Sequence, residues 1–398
     1  MRGVFRRVGV AVLFGAALAV ALEVHRNYGM SLYESGRLQS PLSYANAFLY
    51  VLSSPVDRYL DPEWSGRARS SQRVAALFLL HSTLGFGAAS VIRWSLPRRR
   101  AAALPPPSAD GPSRRELLRR TAQVAVGGSI AALSYGVFVE PRRLQITRHR
   151  IPIRDLDPAL DGLRIVHFTD QHHGPWFSRD YIRKMVSAVN RLEPDLVALT
   201  GDFVSRSAAY IRPVSRILAE LRPRIASVGV LGNHDWWEDG PLTHAALREA
   251  GVRMLDNTRL VLAPDRTLSP NADRGLVIGG VGDLWTDRQD YAAALAGPPR
   301  RMPRLLLAHN PDTAEESALT AAELRIDLML SGHTHGGQVA LGGMTHAPLP
   351  SKFGIKYAQG LINGPVCPVY VCRGTGMSFM PVRMGVRPEI AVLELQSA

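Results

Sequence analysis

The chain changes character twice along its length. Two long apolar runs come first, Val8–Val24 and Val74–Ile92, each near the roughly 20 residues that a bilayer-spanning helix needs. The first could alternatively be a cleaved signal peptide, although no clear small-x-small cleavage site follows it. Leu42–Ser54 is apolar but too short to span. A Pro-rich stretch at 101–112 then leads into Ser113-Arg114-Arg115-Glu116-Leu117-Leu118-Arg119 and a milder, Gly-containing apolar run, Thr121–Phe138. From about residue 160 the pattern becomes short apolar runs alternating with amphipathic stretches. It predicts strands at Arg164–Thr169, Leu196–Thr200, Ser227–Leu231, Leu276–Val281, Leu305–Ala308 and Leu328–Leu330. Helices are predicted at Arg179–Leu192, Tyr210–Leu221 and Thr243–Ala250. Apolar strands joined by helical crossovers imply an α/β fold, a sheet covered by helices on both faces.

Charge sharpens this division. The 398 residues carry 47 Lys+Arg against 34 Asp+Glu, a formal +13 that invites a nucleic-acid reading. Residues 1–150 hold 21 basic and 8 acidic side chains, whereas residues 151–398 hold 26 of each. A nucleic-acid enzyme is expected to keep its basic patch on the working domain, so no nucleic-acid partner is expected. The excess instead flanks apolar segments, as membrane topology signals do. Eight arginines between Arg93 and Arg120 are expected to keep that loop cytoplasmic. The expected organisation is therefore a membrane region over 1–100 with helices at about 8–24 and 74–92, and a Pro/Arg-rich cytoplasmic linker over 101–120. A third apolar segment follows at 121–138, and a catalytic domain at 150–398. Residues 113–119 resemble a twin-arginine export signal placed internally; the alternative is a third membrane helix with ordinary positive flanks. Both readings put the following domain outside the cytoplasm of a multi-pass bacterial membrane protein.

Chemistry collects where the predicted strands end. The clusters are Asp170-Gln171-His172, Gly201-Asp202, Gly232-Asn233-His234-Asp235, His309-Asn310 and Gly332-His333-Thr334-His335. Loops beyond strand ends are where sheet enzymes build their sites. Carboxylate, imidazole and amide donors without a thiolate suit Mn, Fe or Zn, with Mg also acceptable. A lone strand histidine such as His167 is more often core than ligand. Cys367 and Cys372 form no CxxC; in a strand their five-residue spacing sends them to opposite faces.

The order DxH, GD, GNHD, H, GHTH resembles the calcineurin-like metallophosphoesterase family. Gly336-Gly337-Gln338, Lys356-Tyr357, Arg373-Gly374 and Arg387-Pro388-Glu389-Ile390 resemble its bacterial, membrane-associated branch of YkuE- and YaeI-like proteins. The resemblance implies a four-layer α/β/β/α sandwich, preceded here by the N-terminal transmembrane helices. It implies two divalent metal ions, one held by Asp170, His172, Asp202 and His335. The other is held by Asp202, Asn233, His309 and His333, with Asp202 bridging. His234 then stabilises the transition state or protonates the leaving oxygen, oriented by Asp235. The chain departs from relatives that read GDxxD or GDxxG, since Ser205 follows Gly201-Asp202-Phe203-Val204. His173 and His346 are candidates for substrate contact or packing, and Trp176, Trp236 and Trp237 for an apolar rim or loop packing. The function expected is hydrolysis of a phosphoester, with envelope or lipid-linked esters foremost. A nucleotide or nucleic-acid phosphodiesterase and a non-catalytic metal-binding sensor are the alternatives.

Overall fold

The computed structural model describes residues 114–398, apart from 271, 342–343, 346–348 and 379–380. The expected spans at 8–24 and 74–92, and His346, lie outside the described residues. The chain divides between Ser134 and Tyr135 into two units.

In the first unit, helix α1 runs Arg114–Ser134 and includes the arginine pair. Glu116 accepts hydrogen bonds from Arg119 and Arg120 at 2.7 and 3.0 Å, an i,i+3 and i,i+4 pairing that supports its first turns. The helix ends four residues short of the expected Phe138. Among the described residues no helix is long and apolar enough to cross a membrane.

The second unit begins with a π-type turn at Tyr135–Val139 and contains two large sheets and a two-stranded hairpin. Its strands in chain order are β1 (Gln145–Ile153), β2 (Arg164–His167), β3 (Leu196–Thr200), β4 (Ala226–Val230) and β5 (Val252–Met254). Next come β6 (Thr258–Leu262), β7 (Leu268–Ser269), β8 (Leu276–Gly280), β9 (Arg304–Leu307) and β10 (Leu328–Ser331). A small hairpin, β11 (Ala340–Leu341) with β12 (Met344–Thr345), precedes β13 (Gly360–Asn363), β14 (Pro368–Val371) and β15 (Glu389–Ser397). The first sheet has the order β1-β15-β2-β3-β4-β5 and the second β13-β14-β10-β9-β8-β6-β7. β1 pairs with β15 along its whole length, from Gln145 opposite Glu389 to Ile153 opposite Ser397.

Two large sheets pack on each other, as the four-layer resemblance implies, where the strand pattern alone suggested a single helix-covered sheet. Ile165, Leu196, Ala198 and Val228 of the first sheet share one buried cluster with Ile278, Leu305, Leu328 and Leu330 of the second. Alternate residues of the second sheet, including Leu306, Met329 and Val369, pack outward with α5 (Tyr291–Leu295) and α6 (Ser317–Ala321). The crossovers of the first sheet are α2 (Arg179–Asn190), α3 (Ile211–Leu218) and α4 (Asn233–Glu249). Both faces of β3 are buried, which is why Leu196–Thr200 reads as an unbroken apolar run. Cys372 belongs to the inter-sheet core and Cys367 to the outer one, both as free thiols on the opposite faces their spacing predicts.

The parallel strands β2, β3 and β4 of one sheet and β9 and β10 of the other set the site. Their C-terminal ends release Asp170, Asp202, Asn233, His309 and His333 into consecutive loops.

Candidate metal centre

These loops are tight. Asp170, His172, Asp202, His333 and His335 all have positive φ, between 46° and 70°. Non-glycine residues seldom adopt that region, and such strain concentrates at functional sites. Two glycines give the loops room. A Cβ on Gly232 would lie 2.4 Å from Asp202 Oδ1, and one on Gly332 would lie 2.0 Å from Asp170 Oδ2.

The side chains so presented form two buried clusters. In the first, His335 Nε2 lies 3.4 Å from Asp170 Oδ1 and 3.0 Å from His172 Nε2. In the second, His309 Nε2 lies 3.0 Å from His333 Nδ1 and 3.1 Å from Asn233 Oδ1. Asp202 joins them: its Oδ2 is 3.4 Å from His172 Nε2 and 3.4 Å from His309 Nε2. Its other oxygen, Oδ1, accepts the backbone N–H of His234 at 2.9 Å. The Asp170, His172, His335 donors and the Asp202, His309, His333 donors each lie within 4.8 Å of one another. All seven sequence-predicted ligands therefore come together.

The donor set fits a divalent ion. His309 Nδ1 faces the Thr200 carbonyl at 2.6 Å, so its N–H donates there and Nε2 is the atom turned into the cluster. Asp170 is held by the His333 backbone N–H at 3.0 Å and by Thr169 Oγ1 at 2.8 Å. Burial pushes Asp170 up to about 7, and pushes His172 and His333 down to about 4 and about 3. Burial opposes ionisation of Asp202 too, yet His309, His234 and His172 hold it well below the usual carboxylate range. Burial also works against charge on His309, but Asp202 lifts it to about 10. Carboxylates and imidazoles crowded together in a buried cluster are what a divalent cation binds.

His234, at the start of α4, lies at the edge of the clusters. Its donor falls within 4.8 Å of those of His172 and Asp202, and its Nε2 is 3.1 Å from Ser378 Oγ. Asp235 follows His234 in the first turn of α4. Its carboxylate accepts four backbone N–H bonds, from Asp202 (2.8 Å), Phe203 (2.9 Å), Val204 (3.3 Å) and Gly232 (2.9 Å). Four bonds fill the acceptor capacity of a carboxylate, so Asp235 shapes the loop that carries Asp202.

Residues 163–337 match the calcineurin-like phosphoesterase family. The phosphodiesterase YaeI of Escherichia coli is 34% identical over 295 residues, 71% of this chain and 99% of that protein. The chain belongs to the calcineurin-like phosphoesterase family. The uncharacterized metallophosphoesterase YkuE of Bacillus subtilis is 29% identical over 291 residues, 72% of this chain and 98% of its own length. A Danio rerio transmembrane protein with a metallophosphoesterase domain is 30% identical over 282 residues, 66% of this chain and 60% of its own. As a metallophosphoesterase, the chain is a hydrolase of phosphoester bonds, and its family uses divalent metals.

The remaining sequence candidates fall outside the clusters or at their margin. His167 is core, with Nε2 2.8 Å from Thr200 Oγ1. His173 packs, its Nδ1 2.7 Å from the Phe177 carbonyl and its ring edge-on to Tyr210. Ser205 is buried and pairs its N–H with the His173 carbonyl at 3.1 Å. Trp237 is exposed and lies against His234 with ring centroids 4.5 Å apart, whereas Trp236 and Trp176 are half-buried.

Three residues escaped the sequence reading. Trp285 stands edge-on to His333 with centroids 4.4 Å apart. Asp283 presents it, accepting from the N–H groups of Trp285 and Thr286 at 2.9 and 3.0 Å; the local spacing Asp-Leu-Trp-Thr signals such a turn. Arg383, completely buried, donates to the carbonyls of Arg373 and Gly376 at 2.8 and 2.6 Å behind His335. Burial pushes its guanidinium down to about 10, and nothing in the sequence around it distinguishes it.

Proposed function

We propose that Asp170, His172, Asp202 and His335 hold one divalent ion and Asp202, Asn233, His309 and His333 a second. The pair serves hydrolysis of a phosphoester on the outer side of a bacterial membrane. The observation that carries the dinuclear reading is the shared 3.4 Å approach of Asp202 Oδ2 to His172 and His309. One carboxylate oxygen directed equally at two donor sets is the arrangement a bridging ligand needs. Mn, Fe or Zn matches the mixed oxygen and nitrogen donors best, and Mg remains acceptable.

Bound there, two divalent ions supply charge to clamp a phosphoryl group and acidify a water nucleophile. The chain's own residues do the rest. The N-terminus of α4 begins at Asn233 and adds the positive end of its dipole at the anionic site. His234, half-buried and beside the clusters, protonates the leaving oxygen. Asp235 keeps the Asp202 loop in place before substrate arrives. The name of the E. coli relative makes a diester the first substrate to test. The apolar runs at 8–24 and 74–92 and their arginine flanks support a membrane-held enzyme acting on envelope or lipid-linked esters.

Metal analysis of the purified full chain, followed by turnover of bis-p-nitrophenyl phosphate against p-nitrophenyl phosphate with Mn, Fe, Zn or Mg, tests this reading. Two ions per chain and hydrolysis of the diester support it. Hydrolysis of neither ester with any of these metals would favour the metal-binding sensor.

A further inference from the structure

Beyond the turn at Tyr135–Val139, the exposed large apolar side chains among the described residues of the second unit are Trp237, Trp285, Phe353, Ile355 and Leu361. They are not scattered. Trp237 and Trp285 lie edge-on to His234 and His333. Phe353 and Ile355 belong to a loop pinned at both ends to the segments that carry the second cluster. At its start Ser351 Oγ and the Lys352 N–H donate to Asp312, at 2.6 and 2.8 Å, three residues beyond His309. At its end the Ala358 carbonyl accepts from Thr334 Oγ1 at 2.8 Å, between His333 and His335. Tyr357 is buried below and donates to Glu315 at 2.6 Å, which fixes the loop against the domain.

Between those pins the side chains turn outward. Phe353 is 43% exposed and Ile355 is 74% exposed, the highest value in this group. Lys352 is exposed beside them, and Lys356, on the other side, pairs with Glu315 at 2.5 Å. Apolar tips set among lysines, with a tryptophan attached to the same cluster, match the pattern of surfaces that enter a lipid interface. Such surfaces sink aliphatic and aromatic side chains below the headgroups and keep cations and indoles at headgroup level. A pinned loop carrying separate protruding tips suits a soft lipid surface better than a flat protein partner. Exposed Lys352 at the tip selects anionic headgroups.

We infer that the loop carrying Phe353 and Ile355, together with Trp285, docks into an anionic lipid surface and presents the metal cleft to a lipid-borne phosphoester. The substrate half of this statement rests on the phosphoesterase reading above; the docking half stands on the loop itself.

The test places a spin label at Ile355→Cys in the full chain, reconstituted in vesicles of equal phosphatidylglycerol and phosphatidylcholine. Ile355 is exposed, so the substitution spares the core, while Cys367 and Cys372 are buried and do not label. A label at Arg150→Cys on exposed β1 is the aqueous reference. Docking predicts that the label at 355 is several-fold less accessible to an aqueous nickel chelate than the reference, and more accessible to oxygen. It also predicts that this protection weakens in pure phosphatidylcholine. Equal nickel accessibility at the two positions overturns the inference, and equal protection in both lipid mixtures overturns its anionic selectivity. Bis-p-nitrophenyl phosphate turnover of the same labelled protein reports separately on the phosphoesterase reading.

Discussion

The carboxylate of Asp235 accepts the backbone N–H of Asp202 at 2.8 Å, tying the loop that carries the central ligand to the first turn of α4. With Phe203, Val204 and Gly232 also donating to it, this one buried side chain satisfies four amides. Replacing Asp235 by Asn turns one acceptor oxygen into a donor facing N–H groups. A buried donor left without a partner costs about 1–3 kcal/mol, so the variant should be destabilised by roughly 2–4 kcal/mol. It should also lose metal. Denaturant melts with metal analysis check this, and a variant of normal stability with both ions present would return Asp235 to the orienting role.

His234 is expected to behave differently. His234→Ala should keep near-normal metal content while kcat falls by roughly 10²–10⁴, the scale of general acid–base contributions. The fall should shrink for esters with very good leaving groups, which need little protonation. Loss of an ion in this variant would make His234 a ligand.

Acid stability follows from two histidines outside the ligand set. Burial pushes His167 down to about 3 and His173 down to about 4 from an ordinary 6.5. Both are neutral in the folded chain and bind a proton more readily once unfolded. Their contribution is complete above about pH 6.5 and is lost as pH falls toward the folded values. Each is expected to cost up to roughly 1.4 kcal/mol per pH unit in that window. Urea titrations of chelator-treated protein between pH 7 and 4 measure it, and a flat stability profile would contradict it.

The proposed export signal before the domain gives a fourth expectation. Arg114 and Arg115 lie in α1. A receptor-read address does not tolerate lysine there, whereas an ordinary topology signal does. The Arg114→Lys/Arg115→Lys double variant should leave residues 1–100 inserted and strand the catalytic domain on the cytoplasmic side. Protease digestion of spheroplasts decides it. A domain still digested from outside, as in the parent, would mark α1 as no export signal.

Much of the centre could be read from residue order because the chemistry is local. Each ligand sits two to five residues past an apolar strand, so Leu196–Thr200 and Asp202, or Leu328–Ser331 and His333, identify one another. The pairing of sheets was less legible. Both sheets contribute short apolar strands, and nothing in Ile278 or Leu305 says that it faces Ile165 across a core instead of a helix. β1 and β15 were missed because Gln145–Ile153 is an edge strand with exposed arginines, and its partner lies 244 positions away in register. α4 starts ten residues before the expected Thr243 because a break at Asp239, followed by Pro241, interrupts its pattern. Asp235 was assigned by adjacency to His234, but its contacts run to backbone amides that no side-chain pattern reveals. Arg383 and Trp285 act on ligands 48 positions away, His335 and His333.

The central claim is that Asp202 bridges two ions. Metal analysis and diester turnover of Asp202→Asn beside the parent chain test it most directly. The account predicts two ions per parent chain, and for Asp202→Asn a joint collapse of both occupancies and of turnover. A variant that retains two ions and most of its activity would contradict it.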